Sequence, residues 1–361
     1  MSRPNLFGMG REALAATLSE MGEPAYRARQ LYDWLYRRRV RELSAMSNLS
    51  KQLRAALAKR FELIWPEQAE RSLSFDGTRK YLFRLRDGAT VEAVYIPEDE
   101  RRTICISTQV GCPLKCTFCL TGISGYQRNL DAGEILGQVA WVMEEHPVTD
   151  THPSRREDDP FPWNVVVMGM GEPLLNLEPT LAALRVLMDD DGFGVPPRKL
   201  TLSTVGILPA LERLAREPVR PNLAISLHAP DTALRRALMP IEKKYPIDDV
   251  IAAALAYPVP SGGVVTFEYV LLGDVNDTPG HARELARRLG GKRAKVNLIP
   301  LNAAPGIPFQ APRPEAVEAF AAALVKAEIQ VSVRRSRGRD ILAACGQLHL
   351  QKANASPPAR P

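Results

Sequence analysis

The amino-acid sequence of 361 residues predicts an α/β protein built on a parallel sheet, arranged either as a barrel or as a doubly wound sheet. Three observations lead to this fold class. From residue 102 onward, short apolar segments with strand character alternate with amphipathic segments that have a helical period. The composition, 45% hydrophobic and 24% charged, is ordinary for a globular protein. The length leaves room for one large domain and a small one.

The predicted strands of the large domain are 103–108, 165–168, 199–204, 223–227, 264–271, 295–299 and 330–334. The predicted helices lie between them, at 132–145, 178–189, 207–217, 231–238, 247–257, 279–289 and 314–327. Asp131 and Glu134 have the spacing of a capping box at the start of the first of these helices. In a fold of repeated β-α units, functional residues gather on the loops at the C-terminal ends of the strands.

The region before the large domain, residues 10–61, is predicted to be helical. Aromatic and leucine side chains recur at helical spacing from Tyr26 to Leu35, with arginines on the opposite face. A second periodic segment covers 49–57, with Ser50 as its candidate N-cap. A stripe of this kind is more often core than a stacking platform for bases, and we interpret it as core.

A β-hairpin is predicted between the helical region and the large domain. Its strands cover 80–85 and 90–96, and Asp87-Gly88 between them favours a tight turn. Further along, residues 146–163 are rich in proline and charge, which predicts a surface excursion between a helix and the next strand.

Positive charge is concentrated near the N-terminus. Residues 1–60 contain twelve Lys and Arg against five acidic residues, a net of +7, so the rest of the chain sums to −1. An excess confined to one small region is typical of a nucleic-acid-binding module. A solvated helix face is the alternative interpretation of the same charge.

The sequence also predicts the compartment. Five cysteines, three of them clustered, indicate metal or redox chemistry in a reducing environment and not a disulfide framework. The N-terminal residues lack the apolar core of a signal peptide, and no uninterrupted apolar stretch reaches ~18 residues. We therefore expect a cytoplasmic protein.

Three cysteines lie within eight residues, at Cys112, Cys116 and Cys119. A Cys-x3-Cys-x2-Cys spacing supplies three thiolates, enough to bind three irons of a four-iron, four-sulfur cluster and to leave the fourth iron open. Structural zinc sites usually have four protein ligands, and ferredoxin-type runs bring four cysteines per cluster. The spacing, with Phe118 before the last cysteine, is typical of radical S-adenosylmethionine (SAM) enzymes, with a zinc knuckle or buried core thiols as alternatives.

Polar residues follow several of the predicted strands. Gly171-Glu172 follows the second predicted strand, one β-α unit after the cysteine loop. A glycine there lets the backbone approach a ligand closely, and the glutamate carboxylate can accept hydrogen bonds from an ammonium group. Ser203, the segment Ser226-Leu227-His228 and Asn302 end three other strands. Each alone resembles a local cap or turn residue, but together they predict one shared ligand.

Two cysteines lie outside the cluster motif. Cys105 is on the strand that leads to the cysteine loop, and Cys345 is near the C-terminus. Residue type and position leave two interpretations open, inert core cysteines or reactive ones.

Residues from about 10 to 350 resemble the RlmN family of radical SAM RNA methyltransferases. The motifs that carry the resemblance are YRARQ at 26–30, VEAVYIP at 91–97, the cysteine loop, QRNL at 127–130 and RRSRGRDILAACGQ at 334–347. The resemblance implies a partial (β/α)6 radical SAM barrel with a small N-terminal helical domain and a β-hairpin connection. It divides the chain into a basic, RNA-binding accessory domain (1–64), the hairpin linker (65–98), the radical SAM core (99–340) and a C-terminal segment with a disordered tail (341–361).

The resemblance also implies roles for all five cysteines and for the strand-end residues. It makes Cys345 the methyl-carrying cysteine, Cys105 its resolving partner and Glu92 the proton acceptor. The implied cluster ligands are Cys112, Cys116 and Cys119, and the implied SAM contacts are Gly171, Glu172, Ser203, Ser226, Leu227, His228 and Asn302.

The implied reaction is methylation of carbon 2 of two kinds of adenosine: one in 23S ribosomal RNA, and the one 3′ of the anticodon in certain transfer RNAs. It uses a [4Fe–4S] cluster and two SAM per turnover, and it passes through an S-methylcysteine. The implied partners are these RNAs and a low-potential electron donor of the flavodoxin or ferredoxin type. The resemblance implies no association with a membrane, and it implies a monomeric protein.

Two departures from the family pattern are Leu120, where a small residue is common, and the length of the 146–163 excursion. Three alternative functions remain at this point. One is methylation of carbon 8 by a related enzyme, another is a non-enzymatic iron–sulfur or zinc protein that binds RNA, and the last is a radical SAM enzyme with a small-molecule or protein substrate.

Overall fold

The computed structural model of the protein describes residues 3–98, 101–147 and 161–350, and it shows an α/β architecture around a ten-stranded sheet. Most of the 146–163 excursion and the tail from residue 351 lie outside the described residues. Among the described residues, no helix is both long enough and apolar enough to cross a membrane.

The N-terminal region is helical, as predicted. It contains α1 (Arg11–Glu20), α2 (Tyr26–Tyr32) and α3 (Lys51–Arg60), and the Ser50 hydroxyl caps α3 by accepting a 3.0 Å hydrogen bond from the Leu53 amide. Tyr32, Trp34 and Tyr36 are buried, which confirms the interpretation of the aromatic stripe as core, whereas Tyr26 is exposed.

The helical region shares its core with the rest of the chain. Its buried side chains and those of the large sheet form one continuous hydrophobic cluster. Arg11 and the Tyr32 hydroxyl both donate to the carboxylate of Asp189, which lies beyond the end of a helix of the large domain. The predicted domain boundaries stay predictions, because a continuous core shows no break at which to place them.

Three antiparallel strands follow, β1 (Glu67–Leu73), β2 (Arg79–Arg84) and β3 (Thr90–Pro97). The predicted hairpin is confirmed as β2 and β3, although the sequence analysis missed β1. The reason is that β1, EQAERSL, has almost no apolar residues and is exposed along most of its length at the edge of the sheet. Charged side chains on an edge strand discourage pairing with another chain.

The rest of the large sheet is parallel and begins with β4 (Arg102–Ile106). A two-stranded sheet of β5 (Gln109–Gly111) and β6 (Tyr126–Asn129) frames the cysteine loop and the short α4 (Leu120–Ile123), and α5 (Ala132–Glu145) follows. The capping box of α5 is confirmed: the Asp131 carboxylate accepts from the Glu134 amide at 2.8 Å, and the Asp131 amide donates to the Glu134 carboxylate at 3.0 Å.

The remaining elements alternate as the sequence predicts. In chain order they are β7 (Trp163–Val167), α6 (Leu177–Met188), β8 (Leu200–Thr204), α7 (Leu208–Ala215), β9 (Asn222–Ser226), α8 (Thr232–Leu238), α9 (Ile247–Ala256), β10 (Val265–Leu271), α10 (Pro279–Leu289), β11 (Ala294–Pro300), α11 (Pro314–Lys326) and β12 (Gln330–Val333). Every predicted strand and helix of the large domain is present within about two residues, the usual uncertainty of element ends.

Strand order decides between the two predicted arrangements. The parallel strands lie in the order β4-β7-β8-β9-β10-β11-β12, which follows the chain without reversal. Parallel crossovers are right-handed, so a sheet that grows in one direction has its helices on one face. A doubly wound sheet instead reverses direction at a switch point. The protein therefore has an open, partial barrel, whose inner face remains available for a ligand.

Candidate active site

A cavity of about 710 Å³ lies along the inner face of the partial barrel. Eleven of the thirteen predicted site residues line it: Cys105, Cys112, Cys116, Cys119, Gly171, Glu172, Ser203, Ser226, His228, Asn302 and Cys345. Successive residues of a strand point to opposite faces, so alternate residues of each strand reach this cavity. The two exceptions among the predicted residues are Leu227 and Glu92.

The cysteine loop is held at the C-terminal end of β4. The Cys112 amide donates a 2.8 Å hydrogen bond to the Gly125 carbonyl, and the Cys119 amide donates to the Cys116 carbonyl at 3.3 Å. Gly111 precedes the loop at φ +81°, where a side chain would collide with the Gly125 carbonyl. The backbone therefore places all three cysteines at the cavity wall.

The three thiols lie close enough to influence one another. Burial raises the pKa of the Cys112 thiol to about 12 and that of the Cys116 thiol well above its ordinary value. The Cys119 thiol adds to both increases. Since the thiolate is the form that binds metal, this apolar site favours metal-bound over free thiolates.

The donor set fits a cluster better than a single ion. Among the described residues, no three His, Cys, Asp or Glu side chains converge on one point, as a structural zinc ion would need. In a four-iron cluster each cysteine binds its own iron, so three neighbouring thiols need not share a centre. The three cysteines therefore suit a [4Fe–4S] cluster.

Glu172 follows a turn that requires glycine. Gly171 has φ +103°, and a Cβ there would lie 2.6 Å from the Gln109 Cβ. The Glu172 carboxylate accepts from the Thr204 hydroxyl at 2.6 Å and from the Leu174 and Val205 amides at 3.0 and 2.9 Å. Two carboxylate oxygens have about four acceptor positions, so a further donor can bind. Burial raises the pKa of Glu172 to about 7, although the three hydrogen bonds act in the opposite direction.

The serines on neighbouring strands meet in the cavity. The hydroxyls of Ser203 on β8 and Ser226 on β9 are 3.4 Å apart. The side chain of Leu227, the next residue, is completely buried and does not line the cavity, so only its backbone is available to a ligand there.

His228 is held as a neutral imidazole. Its Nδ1 accepts a 3.0 Å hydrogen bond from the Val270 amide, and its ring meets the edge of Phe118 at 4.9 Å. Burial, together with the nearby charge of Arg235, lowers the pKa of His228 to about 3. His228 thus connects the strand ends to the cysteine loop.

Cys345 lies in the C-terminal strap, which we define as residues 338–349. The strap is tied to the cysteine loop, because the Leu120 amide donates to the Gly346 carbonyl at 2.8 Å and the Thr121 hydroxyl donates to the Leu348 carbonyl at 2.6 Å. Leu120, a departure from the family pattern, thus makes its polar contact through the backbone.

Cys105 and Cys345 share the cavity although 239 positions separate them in the sequence. Both thiols are free. Burial raises the pKa of the Cys105 thiol to about 12, the neighbouring Cys345 thiol adds to this rise, and Arg334 opposes it. Burial also raises the pKa of Cys345, and Arg334 again opposes the rise. Arg334 therefore favours the thiolate form at both sulfurs.

Glu92 lies behind the cavity wall and has no exposed surface. Its Oε1 is 2.8 Å from the Lys80 Nζ, and its Oε2 accepts a 2.9 Å hydrogen bond from the His349 amide of the strap. The predicted proton acceptor is thus joined to the strap that contains Cys345. The sequence analysis did not identify Lys80, since a charged residue inside a strand is normally at the surface.

The sequence analysis also missed a polar row across the barrel. Ser226, Glu268, Asn297 and Ser332 are register neighbours on four adjacent strands. Asn297 donates to Glu268 at 3.3 Å, and Ser332 donates to Asn297 at 3.1 Å. A signal was present, since Glu268 is the one charged residue within the apolar run 264–271.

Comparison with known proteins gives consistent results. Residues 4–63 match the family model described as "Ribosomal RNA large subunit methyltransferase N-terminal domain". A Granulibacter bethesdensis protein named "Dual-specificity RNA methyltransferase RlmN" is 44% identical, with 97% of this chain and 88% of that protein covered. A Syntrophus aciditrophicus protein of the same name is 44% identical, with 96% and 97% covered. The crystal structure of a radical SAM methyltransferase from Sphaerobacter thermophilus superposes with a TM-score of 0.87 at 43% identity, over 97% of this chain and all of that chain.

Proposed function

The chain belongs to the RlmN family of radical SAM RNA methyltransferases, and from this premise we propose that it methylates carbon 2 of adenosine in 23S ribosomal RNA and in transfer RNA. Its cofactors are a [4Fe–4S] cluster and SAM. The observation that carries the proposal is that all five cysteines of the chain line one cavity. Radical SAM chemistry alone needs three of them, and the other two suit a methyl carrier and its resolving partner.

Cys112, Cys116 and Cys119 hold the cluster in this proposal. When bound, the cluster and SAM supply a methyl group and, through one-electron cleavage, a 5′-deoxyadenosyl radical. The low pKa of His228 keeps its ring uncharged beside the cysteine loop, so the ring has no positive charge that would repel the SAM sulfonium.

The strand ends bind SAM. Glu172 pairs with its ammonium group. Gly171 lines the cavity beside it and permits the turn that places Glu172, because a side chain at Gly171 would collide with Gln109. Further contacts come from Ser203 and Ser226, the Leu227 backbone, His228 and Asn302. These residues belong to different β-α units, so the barrel has to be folded before they converge.

The two remaining cysteines carry the group transfer. Carbon 2 of adenine is electron-poor and cannot displace a methyl group from a sulfonium, whereas a thiolate can. Cys345 holds the methyl group as a thioether. The 5′-deoxyadenosyl radical would take one hydrogen atom from this methyl group, and its carbon would then bond to carbon 2 of the base. Return of one electron to the cluster and loss of the ring proton would complete a methylene bridge between the Cys345 sulfur and the base. Cys105 then attacks the Cys345 sulfur: the carbon–sulfur bond breaks and a disulfide forms between the two cysteines. The electron pair of the broken bond goes to the methylene carbon, which takes up a proton and becomes the new methyl group of the base.

Glu92 accepts the ring proton in this scheme. It is fully buried beneath the strap, so its route to the base depends on movement of the strap. Arg334 assists both cysteine steps, because it favours the thiolate of Cys345 and of Cys105. A low-potential donor of the flavodoxin or ferredoxin type supplies the electron, and the protein acts as a monomer.

Mass spectrometry of adenosine modifications tests this assignment directly. A strain that lacks this gene is expected to lose 2-methyladenosine from its 23S ribosomal RNA and from a subset of its transfer RNAs, and to regain it with the wild-type gene. Loss of 8-methyladenosine instead would favour the carbon-8 alternative. Unchanged RNA in both pools would overturn the proposed substrate.

The basic N-terminal region is expected to bind RNA. Truncation is a poor test, since this region shares its core with the barrel. Charge reversal at the exposed Arg37, Lys51 and Lys59 should weaken RNA affinity and flatten its dependence on salt, because each lost phosphate contact lowers the slope of log affinity against log salt by about 0.9 for duplexes and about 0.7 for single strands. Filter binding over a salt series measures both quantities.

The matched control reverses three exposed cations elsewhere. Arg216, Arg283 and Lys292 lie on or after helices of the barrel, and their substitution by glutamate changes the net charge equally. If the control weakens RNA binding as much as the N-terminal variant does, overall charge and not a local surface governs affinity.

SAM affinity is expected to depend on pH through Glu172. With a pKa of about 7 the carboxyl is charged above neutrality and neutral below it, and only the charged form pairs strongly with an ammonium group. Affinity should therefore fall as the pH is lowered through neutrality, by up to about tenfold per pH unit. Equilibrium SAM binding to the cluster-loaded protein, compared with Glu172→Gln, measures this. A wild-type affinity that stays flat, or a variant with the same pH profile, would contradict the role.

A further inference from the structure

The strap is joined to the three-stranded antiparallel part of the sheet through a buried ion pair. Lys80 on β2 is opposite Val94, and Glu92 on β3 is opposite Leu82, so Lys80 and Glu92 form a diagonal pair across the two strands. Their Nζ and Oε1 atoms are 2.8 Å apart. The exposed fraction of the side chain is 8% for Lys80 and zero for Glu92. Neither residue is among the lining of the cavity.

Each member of the pair also binds the strap. The Lys80 Nζ donates to the Leu342 carbonyl at 3.4 Å, and the Glu92 Oε2 accepts from the His349 amide at 2.9 Å. These two contacts lie on opposite sides of Cys345, three residues before it and four residues after it. The ion pair thus spans the segment that contains the cysteine.

Other contacts hold the strap at different atoms. Leu120 and Thr121 bind the strap from the side of the cysteine loop, after Cys345. The turn between β1 and β2 binds its start, since Ser74 donates to the Asp340 carboxylate and the Gly338 amide donates to Asp76 at 2.9 Å. Gln347 also acts before Cys345, since it accepts from the Ala344 amide at 3.2 Å and donates to the Ala303 carbonyl at 3.3 Å. Lys80 ties the same stretch to β2 through the Leu342 carbonyl.

We propose that Lys80 is a positioning residue for Cys345, which acts by clamping the strap through its ion pair with Glu92. The proposal rests on the proposed function only for the role of Cys345 as the methyl carrier. Its physical basis is that a hydrogen bond to a charged group in a buried site is stronger than one between neutral groups. Loss of the Lys80 charge removes the tie to Leu342 and leaves the Glu92 carboxylate without this counter-charge.

The same geometry assigns a second consequence to Glu92. In the structure, one carboxylate oxygen of Glu92 accepts a hydrogen bond from the His349 amide of the strap. The proposed proton acceptor and the methyl-carrying cysteine are therefore held by the same set of contacts. Release of the strap end at His349 removes this hydrogen bond from the Glu92 carboxylate. The clamp thereby links the position of Cys345 to the hydrogen bonding of the proton acceptor.

Hydrogen exchange measured on the cluster-loaded protein tests the clamp. In Lys80→Met, amides of residues 342–349 are expected to exchange at least about tenfold faster than in the wild type, equivalent to about 1.4 kcal/mol of lost protection. Lys80→Arg keeps a cation that can reach both partners and should restore slow exchange. Arg84→Met is the matched control, since Arg84 is on the same strand but pairs with the exposed Glu67 at 3.6 Å.

A double variant separates positioning from general destabilisation. Lys80→Met alone removes the counter-charge at 2.8 Å from the buried Glu92 carboxylate and can lower the stability of the whole protein. Lys80→Met with Glu92→Gln removes both charges, so thermal stability should recover, while the strap should still exchange fast because the tie to Leu342 is absent. Exchange in β7 and β8 serves as the internal reference.

The proposal is overturned if the strap amides exchange as slowly as in the wild type both in Lys80→Met and in the double variant. It is also overturned if acceleration is equal in β7, β8 and the strap of the double variant, since that pattern reports global unfolding. Neither measurement depends on methyl transfer, so a wrong assignment of the reaction would leave the result on the clamp intact.

Discussion

Substitution of any one of Cys112, Cys116 and Cys119 by alanine is expected to abolish both cluster assembly and SAM cleavage. Each cysteine is the sole protein ligand of one iron in the proposed site, and the loop brings no spare thiol to replace it. Even the loss of an outer partner of a metal ligand costs about 10–100-fold, so loss of the ligand itself should lower the rate of SAM cleavage by more than about 100-fold.

Iron and sulfide analysis after anaerobic reconstitution, together with the yield of 5′-deoxyadenosine, measures this effect. Cys345→Ala is the matched control, because it removes a thiol from the same cavity but not from the cysteine loop. The control should retain its iron and cleave SAM. A cysteine-loop variant with a full complement of iron and normal turnover would rule out the ligand assignment.

Cys105→Ala is expected to remain covalently linked to its RNA after turnover. The variant keeps Cys345, so it can accept the methyl group and join it to the base, but it lacks the thiolate that attacks the Cys345 sulfur. Cys345→Ala should instead carry no methyl group and methylate no RNA. Two inert core cysteines would give two similar, mildly destabilised and active variants, so the asymmetry is a demanding result.

Denaturing gels of labelled RNA after one turnover, followed by peptide mass spectrometry, detect the linked species. The linkage should map to Cys345 and should form in about stoichiometric amounts with the variant, since each molecule stalls after its first addition. A Cys105→Ala preparation that shows no RNA-linked band, or that turns over repeatedly, would exclude the resolving role of Cys105.

The secondary structure could be predicted from the sequence because its signals are local. The apolar runs from 103–108 to 330–334 and the helical periods between them each depend on neighbouring residues, and all of them are present in the fold. The capping box at Asp131 and the turn at Asp87-Gly88 are likewise complete within a few residues. The strands that were missed, β1, β5 and β6, are short or exposed and lack an apolar alternation.

The site could be predicted only in part, for the same physical reason. Strand-end residues were found because parallel strands end at one rim, whatever the order of the strands. Glu268 and Asn297 were missed, since their importance comes from register across the sheet, which places them beside Ser226 and Ser332. Lys80 was missed because its function depends on burial against Glu92, a property of the packed sheet.

What the sequence by itself determined is the identity of the reactive groups: three cysteines at cluster spacing, two further cysteines and the polar strand ends. Tertiary structure decided which of them share a space. Cys105 and Cys345 come together because the chain returns after the last parallel strand and the strap is tied across the cavity at Leu120, Thr121 and Glu92. Such contacts join residues hundreds of positions apart, and no local pattern encodes them. The open barrel and its inner cavity likewise follow from the unreversed strand order, which depends on how the β-α units pack.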